Sequence, residues 1–339
     1  MLSRKQLFFL TTVLIITLSL ITYSCQTDTS TSGEENIDNQ NQVETKPLKI
    51  PVFDEHSAYD FIQKQVDFGP RVMGSEGHDA CAKWLVEQFK SFGAKVIEQK
   101  FTATVYTGET FPANNIIAQF NPQVSDRILL AAHWDTRHIA DSPLSTSRQD
   151  EPILGADDGG SGVGVLLEIA RQLQAQKIGI GIDIVLFDAE DYGESGGDSE
   201  SYCLGSQYWS RNPHSSYKAR YGFLLDMVGA KDAQFKIEDI SYRYAPHIVD
   251  KLWSLANRMG KSNYFMKVQG GGITDDHFFV NTIAKIPMVD IINLSGTDTA
   301  FGAHWHTHYD DMDIIDKNTL RAVGQVLLAA IYREDVGQF

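Results

Sequence analysis

Apolar runs that alternate with helix-like segments constrain the fold of this 339-residue chain most strongly. The strand-like runs are continuously apolar, as in strands covered on both faces: RILLAAH, IDIVLFD, RYGFLLDM and IPMVDII. Helical spacing predicts helices from about Ser161 to Leu173, near Ser206 to Ser210, at about 243 to 259, and from about Lys317 to Arg333. Strand and helix in turn predict an α/β fold with a mixed, mostly parallel central sheet flanked by helices on both faces.

The segment before these runs predicts additions at one edge of the sheet. Residues 76 to 92 have apolar positions at helical spacing, with Ser75 as a possible N-cap and Gly93 as the stop. The β-like runs KVIEQKFTATV and NNIIAQF follow in quick succession, which suggests antiparallel strands. Phosphate-binding glycine loops are missing, and Val163 in GGSGV occupies the last glycine position of a serine nucleophile elbow. Phosphate chemistry and serine hydrolysis are therefore not expected.

The first 47 residues predict export and a membrane anchor. Arg4 and Lys5 precede an apolar stretch from Leu7 to Ile21; as a helix it reaches about 23 Å, which is shorter than a bilayer core of roughly 30 Å. We therefore expect a signal peptide over residues 1–24. Ser24 before Cys25 resembles the cleavage box of bacterial lipoproteins, so Cys25 would carry the lipid. Simple secretion and an uncleaved helix are the alternatives.

The rest of the chain divides into a tether and one catalytic domain. Residues 25–47 are almost wholly polar and without apolar periodicity, which predicts a flexible tether behind the lipidated Cys25. Residues 48–339 have globular composition and no second linker, so we expect a single catalytic α/β domain. The predicted location is the periplasm-facing side of a bacterial membrane, the outer membrane in particular, with the domain as a monomer.

Charge and thiols narrow the function classes further. The net charge of -15 argues against nucleic-acid partners, and it suggests a bias towards substrates with a free amine. Cys81 and Cys203 are the only thiols left besides Cys25. An exported compartment permits a bridge between them, but two buried free thiols are the preferred prediction.

Potential metal ligands occur where predicted strands end or loops follow: His133, Asp158, Asp191, Asp226 and His306. Carboxylates and imidazoles delivered to one edge of an open α/β sheet can assemble a hydrolase-type zinc site. Glu190 precedes Asp191 directly, so one acid can bind metal while its neighbour faces the substrate as a general base.

Each of these features also has a purely structural interpretation. An adjacent acid pair such as Glu190 and Asp191 is usually a solvated turn when it stands alone. Asp157 and Asp158 could be N-cap residues of the helix near Ser161. In WHTH, one imidazole should be a ligand and the others only polar loop residues. The combination of strand ends favours the metalloenzyme.

Five motifs occur along the chain in this order: ILGADDGGSGVGVLLEIAR, FDAEDYG, LLDMVGA, TDDHFF and WHT. Together they resemble the zinc-dependent glutaminyl cyclases, which share a fold with zinc aminopeptidases. The resemblance runs from about residue 55 to the C-terminus. It implies one Zn²⁺ per chain, held by Asp158, Asp191 and His306, and it implies that Glu190 is the acid/base. It further implies a carboxylate network containing Asp226 and Asp275, and a pocket wall at Trp305.

The same resemblance leaves a second metal open. His133, together with Asp226, matches a position that binds a second metal in the aminopeptidases and is unliganded in single-zinc cyclases. It also implies a cis peptide between Asp158 and Gly159.

The sequence departs from the animal cyclases in three places. Asp290 stands where those enzymes place a histidine, and Asp191 replaces the commoner glutamate ligand. Residues 193 to 201 lack a pocket tryptophan, so Tyr192, Tyr202 or Trp209 could supply an aromatic surface instead.

The leading functional hypothesis is a glutaminyl-peptide cyclotransferase that acts on peptides and proteins with N-terminal Gln. The alternative is a two-metal aminopeptidase, since the ligand positions for a second metal are present. A rival of another class is an anchored binding protein that has kept the fold and lost the chemistry. The intact Glu190 and ligand set argue against that rival.

Overall fold

The computed structural model of this chain describes residues 48–213, 217–297 and 300–339. The predictions for the signal peptide, Cys25 and the tether therefore lie outside the described residues. The described residues belong to one compact unit. Its helices are α1 (Glu55–Val66), α2 (Glu76–Ser91), α3 (Gly160–Ala175), α4 (Leu204–Arg211), α5 (Asp239–Tyr244), α6 (Pro246–Arg258), α7 (Asp276–Phe279) and α8 (Lys317–Glu334).

The strands form two sheets. They are β1 (Lys95–Thr104), β2 (Thr110–Phe120), β3 (Arg127–His133), β4 (Gly181–Phe187), β5 (Gly222–Asp226), β6 (Phe235–Glu238), β7 (Phe265–Gly271) and β8 (Met288–Ile292). The main sheet has the order β1-β2-β4-β3-β5-β8, and β6 pairs with β7 in a separate parallel ribbon. Strands β4, β3, β5 and β8 are parallel, whereas β1 and β2 add antiparallel at one edge. The predicted mixed, mostly parallel sheet is confirmed.

Alternate residues of the buried strands face opposite helical layers. In β3, Ile128 and Leu130 pack with α1, α2, α3, α6 and α8, whereas Leu129 and Ala131 pack with Trp209 of α4 on the other face. Both faces are therefore covered, which explains why the strand runs are apolar throughout. At Gly162, any Cβ would collide with the carbonyl of Leu225, so this glycine lets α3 lie close against β5.

The predicted helix at about 243 to 259 is wrong in one respect: it is two helices. Helix α5 ends at Tyr244 and α6 begins at Pro246, with Ala245 between them at φ -136 and ψ 46. A proline disfavours the helical conformation in the residue before it, which breaks the helix there. The predicted N-cap is confirmed, because the Ser75 side chain accepts a hydrogen bond from the His78 amide.

Cys81 and Cys203 are buried and free, so the thiol prediction is confirmed. Among the described residues, no helix has both the length and the apolar character required for a membrane span.

Candidate active site

Three neighbouring parallel strands deliver candidate ligands to one edge of the sheet. His133 is the last residue of β3, and Asp226 is the last residue of β5. Glu190 and Asp191 follow β4, whose last residue Phe187 pairs with His133. Because the carboxyl ends of parallel strands share an edge, these side chains lie close together.

Asp158, Asp191 and His306 form a compact buried group. One possible ligand atom from each lies within 4.8 Å of the other two. His306 Nε2 is 3.1 Å from Asp191 Oδ1 and 3.6 Å from Asp158 Oδ2. Asp191 Oδ2 is buried without a hydrogen-bond partner, and all three residues line the same cavity. Two carboxylates and an imidazole around one point, with one side open to a cavity, fit a catalytic zinc site.

The buried carboxylates of Asp158 and Asp191 need a nearby positive charge, either a proton on His306 or a metal ion. Burial opposes a charged imidazole, but the neighbouring Asp191 and Asp141 raise the pKa of His306 to about 9. Burial, followed by the charge of Asp158, raises the pKa of Asp191. Without metal, a proton on His306 therefore offsets part of the carboxylate charge, and a bound metal ion would take over that role.

Two buried carboxylates hold the backbone of the ligand loops. Asp310 accepts hydrogen bonds from the amides of Asp157 and Asp158 at 2.7 and 3.0 Å. Asp135 does the same for the amides of Glu190 and Asp191, both at 3.1 Å. Neither carboxylate was predicted from the sequence to have a role. The sequence signal was that Asp135 closely follows His133 and Asp310 closely follows His306. Only the tertiary structure shows from which amides each carboxylate accepts hydrogen bonds.

The Asp157–Asp158 turn differs from the sequence predictions in two ways. The predicted cis peptide between Asp158 and Gly159 is wrong, since the described residues contain no cis peptide. Gly159 makes the turn at φ 85 instead, where any Cβ would lie 2.6 Å from the Asp135 carbonyl. The alternative of an Asp N-cap is also wrong, because the cap of α3 is Gly159 and the Asp157 carboxylate accepts the amides of Gly229 and Ala230.

His133, Asp158 and Asp226 form a second group whose ligand atoms also lie within 4.8 Å of one another. His133 Nε2 is 3.0 Å from Asp158 Oδ1 and 3.2 Å from Asp226 Oδ1. Despite burial, hydrogen bonds with Asp135, Asp158 and Asp226 raise the pKa of His133 well above its ordinary value. A proton on His133 can thus offset charge of these two acids, as a second metal bound by the three residues would.

Glu190 lies beside the first group and faces the cavity. Its side chain is 14 % exposed, whereas that of Asp191 is 2 % exposed. The Cys203 thiol donates a hydrogen bond of 3.2 Å to Glu190 Oε1. Burial raises the pKa of Glu190 well above its ordinary value, and the carboxylates of Asp191 and Asp275 add to this. Glu190 is therefore suited to carry a proton near neutral pH.

A network of buried acids continues behind Glu190. Burial, together with Asp275, raises the pKa of Asp226 to about 8. Asp290 is fully buried and neither oxygen of its carboxyl group has a hydrogen-bond partner; its pKa is raised well above the ordinary value, first by burial and then by Asp275. His277 Nδ1 is 3.7 Å from Asp290 Oδ2. Burial and the neighbouring acids thus favour the protonated form of Asp290 in this network.

The cavity beside Glu190 has a volume of about 370 Å³. Trp305 lines it and stacks on His306 with ring centroids 3.9 Å apart. Of the three aromatic residues suggested as substitutes for the missing tryptophan, only Tyr202 lines this cavity. Trp209 is fully buried in the core, and Tyr192 stacks on His138.

Comparison with known proteins assigns the chain to a family. Residues 115–331 match peptidase family M28. The chain belongs to peptidase family M28. This M28 chain is 52% identical to the glutaminyl cyclase of Porphyromonas gingivalis, with a TM-score of 0.81 and coverage of 84% of this chain and 99% of that one. The resemblance to bacterial glutaminyl cyclases is thereby confirmed.

Two further relatives of the M28 chain are described as different kinds of enzyme. A Zn-dependent exopeptidase from Parabacteroides distasonis is 48% identical, with a TM-score of 0.82 and coverage of 84% of this chain and 99% of that one. The glutaminyl-peptide cyclotransferase of Drosophila melanogaster is 25% identical over 276 residues, which are 74% of this chain and 73% of that one. Cyclase and zinc exopeptidase descriptions thus both occur among its relatives.

Proposed function

We propose that this protein is a glutaminyl-peptide cyclotransferase, which converts the N-terminal Gln of peptides and proteins to pyroglutamate and releases ammonia. One observation carries the proposal: a protonatable Glu190 faces the same cavity as the Asp158, Asp191 and His306 group. The similarity to the Porphyromonas gingivalis glutaminyl cyclase supports the choice of reaction.

We assign one zinc ion per chain to Asp158, Asp191 and His306, because their donor atoms converge and Asp191 Oδ2 lacks a partner. When bound, zinc supplies Lewis-acid polarisation of the side-chain amide carbonyl of the substrate. His133 can balance Asp158 and Asp226 with a proton, so the proposal needs no second ion.

Glu190 moves the proton in this proposal. Its carboxylate accepts a proton from the α-amine as that nitrogen bonds to the amide carbon, and it returns the proton to the amide nitrogen that leaves as ammonia. A raised pKa suits both steps, since a carboxyl group of ordinary acidity would be a weak acid at neutral pH. Asp226 and Asp275, buried behind Glu190, help to hold and position that proton.

Closing a five-membered ring makes the nucleophile part of the substrate. The protein's main task is then to keep the Gln side chain bent towards its own amine, because a well-oriented intramolecular attack needs no separate encounter. Trp305, Phe301 and Ile292 form an apolar wall of the cavity that suits this task. The substrate lies against that wall with its amine towards Glu190.

A zinc aminopeptidase is the second candidate function. The converging group of His133, Asp158 and Asp226 favours it, because a second metal there could share Asp158 with the first. Two bridged metals are well suited to activating a water molecule.

A paired assay on the purified, zinc-loaded protein separates the two functions. A Gln-initiated peptide should release ammonia and gain a blocked N-terminus, and a Leu-initiated peptide of otherwise identical sequence should stay intact. Release of free leucine, with the Gln peptide uncyclised, would establish the aminopeptidase instead.

We also propose that the protein is an exported lipoprotein, with residues 1–24 as its signal peptide and Cys25 as the lipid site. The support is the apolar stretch from Leu7 to Ile21, with Ser24 before Cys25 and a polar tether after it. The domain would act as a monomer on the periplasmic side of the outer membrane. Cys25→Ser should move the protein from the membrane fraction to the soluble fraction, and an unchanged distribution would reject the anchor.

A further inference from the structure

We infer that Arg137 is a positioning residue that holds two of the proposed zinc ligands in place relative to each other. The inference rests on the zinc site of the proposed function. Arg137 lies in the loop after β3, and its side chain is fully buried. It neither lines the cavity nor belongs to the ligand group.

The guanidinium of Arg137 reaches both ligands by different routes. Its Nη1 donates hydrogen bonds of 2.8 Å to the carbonyls of Asp191 and Gly193, which fixes the backbone that carries one ligand. Its Nε and Nη2 donate to the two oxygens of Asp141 at 3.1 and 2.6 Å. Asp141 Oδ1 in turn lies 3.0 Å from Nδ1 of His306, the second ligand. We call Arg137 and Asp141 the Arg137 clamp.

The contact between Asp141 and His306 sets the orientation of the imidazole. If Nδ1 donates to Asp141, Nε2 is left as the atom that faces Asp191 and Asp158 and is free to bind a metal. Arg137 holds Asp141 in place, since its Nε and Nη2 donate to both oxygens of that carboxylate. The clamp therefore connects the tautomer of one ligand with the backbone position of the other.

Arginine is required because of its shape as well as its charge. The bidentate pair with Asp141 and the two carbonyl contacts use N–H groups that point in several directions of one plane. Lysine keeps the charge but offers a single ammonium group, which cannot span these acceptors. The Arg137 guanidinium also lies 5.3 Å from the ring centroid of Tyr202, so the same group supports part of the cavity wall.

The test measures zinc affinity by competition with a chelator, independently of activity. Arg137→Lys and Asp141→Asn should each weaken zinc binding roughly 10- to 100-fold, as loss of partners that orient a metal ligand does elsewhere. The double variant should bind zinc only slightly more weakly than either single variant, because both changes disrupt the same Arg137 clamp. Bound Co²⁺, used in place of zinc, should show an altered visible spectrum in both variants.

A matched control is present in the same strand system. Arg127 and Asp183 form another buried, bidentate Arg–Asp pair, at the end of β3 opposite to His133. Arg127→Lys should lower stability to a similar extent and leave zinc affinity within about threefold of the wild type, a difference of roughly 0.7 kcal/mol. An effect of Arg137→Lys on metal-free stability alone, with zinc affinity as in the control, would overturn the inference.

Asp141→Asn decides the matter if Arg137→Lys does not fold, because the Asp141 side chain is 16 % exposed and tolerates the change more easily. Unchanged zinc affinity in a folded Asp141→Asn variant overturns the inference by itself. Failure of the proposed function gives a different result: the wild type itself would bind zinc but leave Gln-initiated peptides uncyclised.

Discussion

Replacing Glu238 by Gln tests the hydrogen bonds that support the segment carrying Asp275. Glu238 is fully buried, and its carboxylate accepts from the amides of Ile240, Ser241 and Ile273 and lies 3.0 Å from His277 Nε2. Although burial opposes ionisation, the bond with His277 and the amides lower its pKa from 4.5 to about 2. The ionised carboxylate thus stabilises the fold.

The magnitude and its pH window follow from that difference in pKa. A fall from 4.5 to about 2 corresponds to about 3 kcal/mol of free energy of unfolding. Because the folded pKa is the lower one, this stability is fully present above about pH 4.5 and is lost as the pH falls towards 2. Glu238→Gln should therefore be less stable than the wild type by about 3 kcal/mol at neutral pH, and the gap should close in acid.

Urea unfolding of wild type and Glu238→Gln at a series of pH values measures this gap. The control is Glu87→Gln, whose side chain is 70 % exposed in the wild type and whose loss should change stability by no more than about 0.5 kcal/mol at any pH. A Glu238→Gln gap that stays constant between pH 5 and pH 2 would show that the contacts do not stabilise the ionised form.

Further predictions concern the base, the ligand loop and the metal. Glu190→Gln should slow cyclisation roughly 100- to 10,000-fold while zinc still binds, because only the proton carrier is lost; near-normal ammonia release would reject Glu190 as the base. Asp310→Asn should lower the free energy of unfolding, measured in urea, by about 1–3 kcal/mol. The Asp310 carboxylate accepts hydrogen bonds from the amides of Asp157 and Asp158, and asparagine has only one side-chain oxygen to accept them. Removal of zinc by a chelator should lower Tm, and added zinc should restore it in proportion to the logarithm of its excess. A Tm that does not respond to zinc would contradict the assigned site.

The sequence predicted most of the main sheet because its strands are buried on both faces. The runs RILLAAH and IDIVLFD are apolar on both faces, which is typical of buried parallel strands. RILLAAH forms β3, and IDIVLFD forms most of β4. The ligand positions were predictable for the same reason, since polar residues directly after such runs must lie at the sheet edge. His133, Glu190 and Asp226 are found there.

Other elements gave weaker signals. Helix α1 was not predicted, because its fully buried face rests on few positions, Ala58, Ile62 and Gln65 among its mostly polar residues. Strand β7 was missed because its residues are largely exposed and it ends in glycines. The roles of Asp135 and Arg137 depend on backbone amides and carbonyls that only the folded chain brings near, and such contacts leave no periodicity in a sequence.

The fate of the side-chain amide nitrogen of glutamine tests the central claim most directly. A peptide with an isotopic label on that nitrogen in its N-terminal Gln is incubated with the zinc-loaded protein, and the products are analysed by mass spectrometry. Our account predicts labelled ammonia together with a full-length peptide that has a pyroglutamyl end and has taken up no oxygen from water. Labelled free glutamine with a peptide shortened by one residue would contradict it.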